Sequence, residues 1–388
     1  MITTKPMPEA VLALFSQDDH PEASWRLIAE PERRFVEDVV KADFLDPGWL
    51  SLDELAALSR DDRRRRQIHL ERWHSYRPLV RTRQVTNALM QLASWPDPQP
   101  SSTAEQTPVP VITGAPGTGK SKLLNQVAAE AIALAATDRR LLGGGDRDDG
   151  SGIRPHQFAV VRLSLPGRVQ DKQLFARLCE SIGVPAGADA HGSFERAIYR
   201  HGIRFVLIDE MQFINFDGQH GRYVHDALKS IQNMGVRLIL AGHNIREMLK
   251  EQTLATREAA RLQSEARWSW IDLSAYPHKT KQDLREWKKL LAAYEGRLRL
   301  AGHPEGDRVF TEEFEEYIWV STLGYANHLS TLLTKASVIA SKAPSQRITR
   351  DVLDAATIEI RAQKGRKARL HLWEAGRFSW STGFGWQD

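Results

Sequence analysis

Gly114-Ala115-Pro116-Gly117-Thr118-Gly119-Lys120-Ser121 is the stretch whose reading decides the fold. It satisfies G-x-x-x-x-G-K-[ST] at every fixed position, the pattern of a loop that wraps phosphate groups. Each fixed residue has a physical task. The glycines let the backbone curl until successive N–H groups point inward at phosphate oxygens. Lys120 brings a mobile cation to the β- and γ-phosphates, and the Ser121 hydroxyl is placed to hold a magnesium ion. The run from Gly114 through Ser121, with Lys122 behind it, is therefore the expected triphosphate-binding segment, with ATP and Mg2+ as its cofactors. Upstream, Val109 to Thr113 reads as a short buried strand; downstream, the alanine- and leucine-rich run from Lys120 to Ala135 reads as a helix.

Working outward, apolar runs at Phe158 to Leu163, Phe205 to Ile208, Val236 to Leu240 and Trp268 to Leu273 read as further strands. Helical patterns fall at Asp171 to Ile182, Ser193 to His201 and Tyr223 to Met234. Strands alternating with helices predict an α/β fold, a three-layer P-loop NTPase core on a parallel sheet. The fully apolar Phe205 to Ile208 is the kind of strand buried on both faces. Asp209 and Glu210 follow it directly. A carboxylate at the C-terminal end of that strand can reach the magnesium held by Ser121, and the next can polarise the water that attacks the γ-phosphate. Open parallel sheets place ligands at that edge. A glutamate beside the metal-binding aspartate favours hydrolysis over phosphoryl transfer to a small molecule, because a kinase must avoid activating water.

Val236 to Leu240 ends in Ala241-Gly242-His243-Asn244. A polar residue at that tip can bridge the attacking water and the γ-phosphate; Asn244 is the first candidate and His243 the second. A plain helix cap at Asn244 fits the sequence nearly as well. Arg257, Arg261 and Arg267 precede the last strand. One of them, donated to a neighbouring subunit's nucleotide, would act as an arginine finger. Arg267 is preferred and Arg261 comes next.

The two flanks differ from the core. Residues 1–93 read as a helical N-terminal segment, with helices from Leu50, around Arg63 to Trp73 and from Leu79 to Ser94. A proline- and serine-rich break from Trp95 to Ser102 separates them from a core at 94–275. From Lys279 the strand signal ends, and Leu284, Trp287, Leu291, Tyr294 and Leu298 mark one face of a helix. That predicts a small C-terminal helical lid over 276–362, followed by a basic, aromatic tail at 363–388. The tail reads either as a docking peptide for a partner or as packing on its own lid. Charge is concentrated at the ends: Arg60 to Arg83 holds nine arginines against three acidic residues, and Arg361 to Asp388 six basic residues against two. Both suggest a polyanionic or acidic partner, with solvated helix faces the plainer alternative. One cysteine, Cys179, excludes intramolecular disulfides and a cysteine-rich zinc site. With no signal-like or membrane-spanning run in the sequence, a cytoplasmic location is expected.

Taken together, Gly114 to Ser121, Phe205 to Glu210, Leu238 to Asn244 and Arg267-Trp268, followed by a helical lid, resemble an AAA+ ATPase. Within that class the chain resembles the TniB/TnsC family of transposition regulators. Three features carry this finer likeness: Trp73-His74-Ser75-Tyr76-Arg77-Pro78; Leu163-Ser164-Leu165-Pro166-Gly167 ahead of Gln173-Leu174-Phe175-Ala176 and Ile182-Gly183-Val184-Pro185; and Ile208-Asp209-Glu210-Met211-Gln212. The resemblance implies ATP-dependent homo-oligomers, rings or helical filaments, on double-stranded DNA. It also implies a role linking a target-selection protein to a DDE-type transposase. Arg168 and Lys172 would by the same implication track the DNA backbone. The segment Leu323-Gly324-Tyr325-Ala326-Asn327-His328 departs from the wider AAA+ pattern by offering no nucleotide-sensing arginine. A helicase loader or replication initiator, and a signalling or defence NTPase switch that does not bind DNA, are the competing readings.

Overall fold

The computed structural model describes residues 46–75, 79–95, 108–137, 160–165, 167, 171–214, 218–246, 268–378 and 380. Five strands form one parallel sheet: β1 (Val109–Thr113), β2 (Val160–Ser164), β3 (Phe205–Asp209), β4 (Arg237–Ala241) and β5 (Trp268–Asp272). Their spatial order is β2-β3-β4-β1-β5. The chain leaves β1 for the far edge, returns through β3 to β4, and then places β5 on the other side of β1. That reversal puts the end of β1 at the switch point where α/β sheets hold ligands.

Side chains alternate between two covered faces, which is why the strands read as continuous apolar runs. Val109, Val111, Val206, Ile208, Leu238 and Leu240 point to one face. There they meet α5 (Asp171–Ser181), α6 (Ala190–His201) and α7 (Gly218–Asn233). Ile112, Leu207, Ile239, Ala241 and Ile271 point to the other face, against α3 (Arg83–Ala93) and α4 (Lys120–Thr137). Each fully buried Leu or Ile stabilises by about 1.5–3 kcal/mol. Helix α6 starts three residues earlier than the apolar pattern indicates. The Asp189 side chain accepts from the Gly192 N–H and caps it, and Gly202 closes it in the left-handed region (φ 64).

The lid comprises α8 (Lys281–Glu295), a π-turn at Val309–Glu313, α9 (Glu315–Thr322), α10 (Ala326–Lys342), α11 (Arg350–Ala355) and α12 (Ile360–Glu374). They close on a core that includes Trp287, Phe310, Tyr317, Leu329 and Leu333. Two boundaries drawn from the sequence move. The tail expected from residue 363 begins inside α12, whose Ala362, Arg366, Arg369 and Leu370 are buried in the lid. Beyond the helix, Phe378 and Trp380 pack on the lid core, and Trp380 stacks on His278 at 4.4 Å.

The N-terminal helices, expected as a separate segment, divide between the two bodies. Before α3 come α1 (Leu52–Ala57) and α2 (Arg60–Ser75). Helix α3 belongs to the sheet's outer layer through Val85, Ala88 and Leu92, and Arg237 donates to the Trp95 carbonyl at 2.9 Å. Helix α2 instead lies along α10, where Gln67 donates to Ser341 Oγ at 2.8 Å. Its end is locked reciprocally to the lid. Trp73 Nε1 donates to the Arg297 carbonyl at 2.7 Å, Arg297 donates back to the Trp73 carbonyl at 3.0 Å, and its guanidinium lies 3.8 Å over the indole ring.

Candidate nucleotide site

Register brings the site together. Ile112 pairs with Ala241, Ile208 with Leu240, and Ser164 with Asp209, so β1, β3 and β4 end at one level. The phosphate loop, Glu210 and the Gly242-His243-Asn244 tip therefore leave the sheet side by side.

The loop's shape depends on its glycines. Gly114 has φ 147, and a Cβ there would lie 2.0 Å from the Leu273 carbonyl oxygen, so only glycine fits against the end of β5. Gly117 and Gly119 also sit at positive φ. Ala115 and Pro116 form the exposed crest, while Thr118 is buried and its hydroxyl donates to the Ala115 carbonyl at 2.9 Å. Lys120 is 8% exposed, and its Nζ donates to the carbonyls of Gly114 and Ala115, both at 2.9 Å. Burial lowers the Lys120 pKa, and the carboxylates of Asp209 and Glu210 oppose that fall. Ser121 opens α4, and Lys122 beside it is half-buried.

The Ser121 side chain lies within interaction range of the Asp209 carboxylate, whose Oδ1 accepts the Glu210 N–H at 2.8 Å. Burial raises the Asp209 pKa, against its interactions with Ser121 and the Glu210 N–H. Paired hard oxygens from a hydroxyl and a carboxylate, beside a cationic phosphate loop, suit Mg2+, which takes few protein ligands and completes its shell with phosphate and water. Glu210 adopts a left-handed backbone (φ 60, ψ 38), a sparsely populated region for a residue with a side chain. Its carboxylate accepts from Gln212 Nε2, and Gln212 Oε1 accepts the His243 N–H at 3.1 Å.

At the β4 tip, the two candidates separate. Burial and then Lys120 lower the His243 pKa, with Glu210 opposing, so its imidazole lies within electrostatic reach of both. Asn244 is exposed, in a left-handed conformation (φ 52). The candidate finger residues Arg261 and Arg267, with Arg257, lie outside the described residues, as does Arg168. Lys172 lies on α5, with its side chain outside the described set. An arginine not singled out from the sequence, Arg246, stands at the same sheet edge. It pairs with Asp272 at 3.1 Å and lies 5.0 Å over the Trp270 ring.

The lid touches the loop directly. The Asn327 N–H at the start of α10 donates to the Gly117 carbonyl at 2.9 Å, and Tyr325 flanks the same glycine. The segment lacking an arginine thus still forms part of the site's wall. Leu323 and Gly324, both at positive φ, turn the chain into α10, and a Cβ on Gly324 would lie 2.0 Å from the Tyr276 carbonyl oxygen. Tyr276 also bonds Thr82 at 2.8 Å through its hydroxyl, so one residue joins β5's exit, α3's cap and the lid.

Residues 104–249, which hold the phosphate loop, both carboxylates and the β4 tip, match the profile of the AAA domain family. A search of curated protein sequences gives no match. Among solved structures, the chain is similar to the Aeropyrum pernix ORC2 protein, at 17% identity and TM-score 0.46, over 72% of this chain and 69% of that one. It is also similar to the Aeropyrum pernix ORC1 protein, solved in complex with DNA, at 15% identity and TM-score 0.46, over 73% and 66%. For DnaA from Aquifex aeolicus, bound to AMPPCP, identity is 14% and TM-score 0.27, over 86% and 92%. Among the described residues no helix is long and apolar enough to cross a membrane. With its five-stranded parallel sheet, phosphate loop at the switch point and matched profile, the chain carries an AAA domain on an AAA+ P-loop NTPase fold.

Proposed function

We propose that the protein is an ATP-hydrolysing, DNA-assembled regulator of transposition of the TniB/TnsC type. The observation that carries the hydrolytic part is the Asp209 carboxylate within interaction range of Ser121 and Lys120, with Glu210 adjacent on the same strand end. Lys120 neutralises charge on the β- and γ-phosphates, and Ser121 and Asp209 would hold Mg2+, which would supply charge neutralisation at the phosphate oxygens. Glu210 accepts a proton from water as its oxygen attacks the γ-phosphorus. The bond to the β-phosphate oxygen breaks, leaving ADP and phosphate. His243 or Asn244, at the tip of β4, orients that water or the γ-phosphate.

The DNA part rests on the finer sequence likeness and on an exposed basic face. Arg64, Arg65, His69 and Arg72 stand in solvent on α2, where they can meet backbone phosphates without reading sequence. The transposase and target-selection partners are inferred from the family likeness alone. A helicase loader or replication initiator shares the engine and the DNA surface and differs in its partner.

Replacing Glu210 with glutamine leaves nucleotide binding intact and slows turnover by roughly 10²–10⁴-fold. Lys120→Ala removes nucleotide binding as well. Phosphate-release and nucleotide-binding assays on both variants check this; parental turnover in Glu210→Gln contradicts the assignment.

A further inference from the structure

We propose that Gln212 is a positioning residue that restrains the Glu210 carboxylate and couples it to the tip of β4. Gln212 lies in the 3-10 turn Met211–Phe213, immediately after the acidic pair. Its amide has two ends and uses both. Nε2 donates to Glu210 Oε2, and Oε1 accepts the His243 backbone N–H at 3.1 Å. A carboxylate only accepts and an N–H only donates, so the partners themselves fix which way the amide faces.

The surroundings are shaped for this side chain. A Cβ on Gly242 would lie 2.8 Å from Gln212 Oε1 and 2.6 Å from Ile245 Cδ1, so glycine leaves the space the amide occupies. On the other side, the left-handed Glu210 is held through its N–H by Asp209 Oδ1 and through its carboxylate by Gln212. Unfavourable backbone persists only where neighbours over-determine it.

Two consequences follow from these bonds. The Glu210 oxygen that receives the amide proton is engaged, and it must exchange that bond before it can take a proton from water. Displacement of the β4 tip by a γ-phosphate pulls on the same amide, so contact at His243 or Asn244 reaches Glu210 through one side chain. Gln212 therefore slows each turnover by the step in which that bond is exchanged.

The inference rests on Glu210 as the water-polarising carboxylate, and the test separates the two. Gln212→Met keeps length and loses both hydrogen bonds; Gly242→Ala crowds the amide from the opposite wall. Steady-state ATP hydrolysis and thermal melting are measured on the full chain. Either variant should raise kcat about fivefold, with KM within about twofold of the parent and melting nearly unchanged. In a Glu210→Gln background the same changes should have no effect. If Gln212→Met unfolds, Gly242→Ala alone decides. An unchanged or lowered kcat in a folded variant, with Glu210→Gln inactive, overturns the proposal. Parental turnover in Glu210→Gln overturns the Glu210 assignment instead.

Discussion

Helix α12 places two arginines inside the lid, whereas α2 keeps most of its arginines in solvent. Arg366 is 1% exposed and donates to the carbonyls of Ala356 and Leu353 and to the Tyr317 hydroxyl. Arg369 donates to the carbonyls of Val320, Ser321 and Ala362. Four of these carbonyls close α9 and α11, whose last C=O groups have no helical partner. Arginine suits that task because one rigid guanidinium offers five donors. Burial pushes the Arg369 pKa down to about 10, with Arg366 adding to the fall, so it remains charged at neutral pH. On α2, Arg63 and Arg66 are also tied to carbonyls, those of Ala56, Pro47 and Gly48, but Arg64, Arg65 and Arg72 are exposed. Similar local charge thus serves as internal cement in one helix and as free surface in the other.

The comparison breaks most readily at the buried pair. Arg366→Met or Arg369→Met strands several carbonyls and should cost about 3 kcal/mol or more in urea unfolding. A loss below about 1 kcal/mol would mean that α12 is not held by these bonds.

The seam between α2 and the lid gives the next effect. Burial, followed by Arg297 and Arg299, holds the His74 imidazole down at about 4. The Arg299 N–H donates to its Nε2 at 3.3 Å, which requires the neutral ring. An unfolded histidine takes its proton near 6.5, so between about 6.5 and 4 the unfolded chain binds the extra proton. Stability therefore falls as pH drops through that window, by up to about 3 kcal/mol from this group. His74→Gln should flatten that part of the stability–pH curve; an unchanged slope would contradict the linkage.

The smallest effect on stability belongs to the exposed face. Reversing Arg64, Arg65 and Arg72 to glutamate should alter folding by no more than about 0.5 kcal/mol each. The same change should reduce the slope of log affinity against log salt for duplex DNA by roughly three, one for each lost phosphate contact. Weak folding effects with an unchanged salt slope would place the DNA surface elsewhere.

The contrast also shows what could be read from the chain. Phosphate-loop glycines are dictated by local backbone shape, so Gly114 to Ser121 was legible, and the buried strands announced themselves as apolar runs. Asp209 and Glu210 were legible because a strand of known type preceded them. Helix α12 was not: burying Arg366 and Arg369 needs acceptors from Val320 to Ala356, which no local pattern reveals. The docking of α2 through Trp73 and His74 depends likewise on a lid loop more than two hundred residues away. Gln212 was visible as part of the likeness to a family, but its bond to His243 required the register that aligns β3 with β4. Arg246 was hidden for the same reason, since Asp272 reaches it only because β5 flanks β1.

The most direct test is negative-stain imaging of the Glu210→Gln protein on a non-specific DNA duplex, with and without ATP. The account predicts rings or filaments on the duplex only when ATP is present, persisting because hydrolysis is blocked, and none with Lys120→Ala. Nucleotide-dependent oligomers that ignore DNA would contradict it and favour a signalling switch.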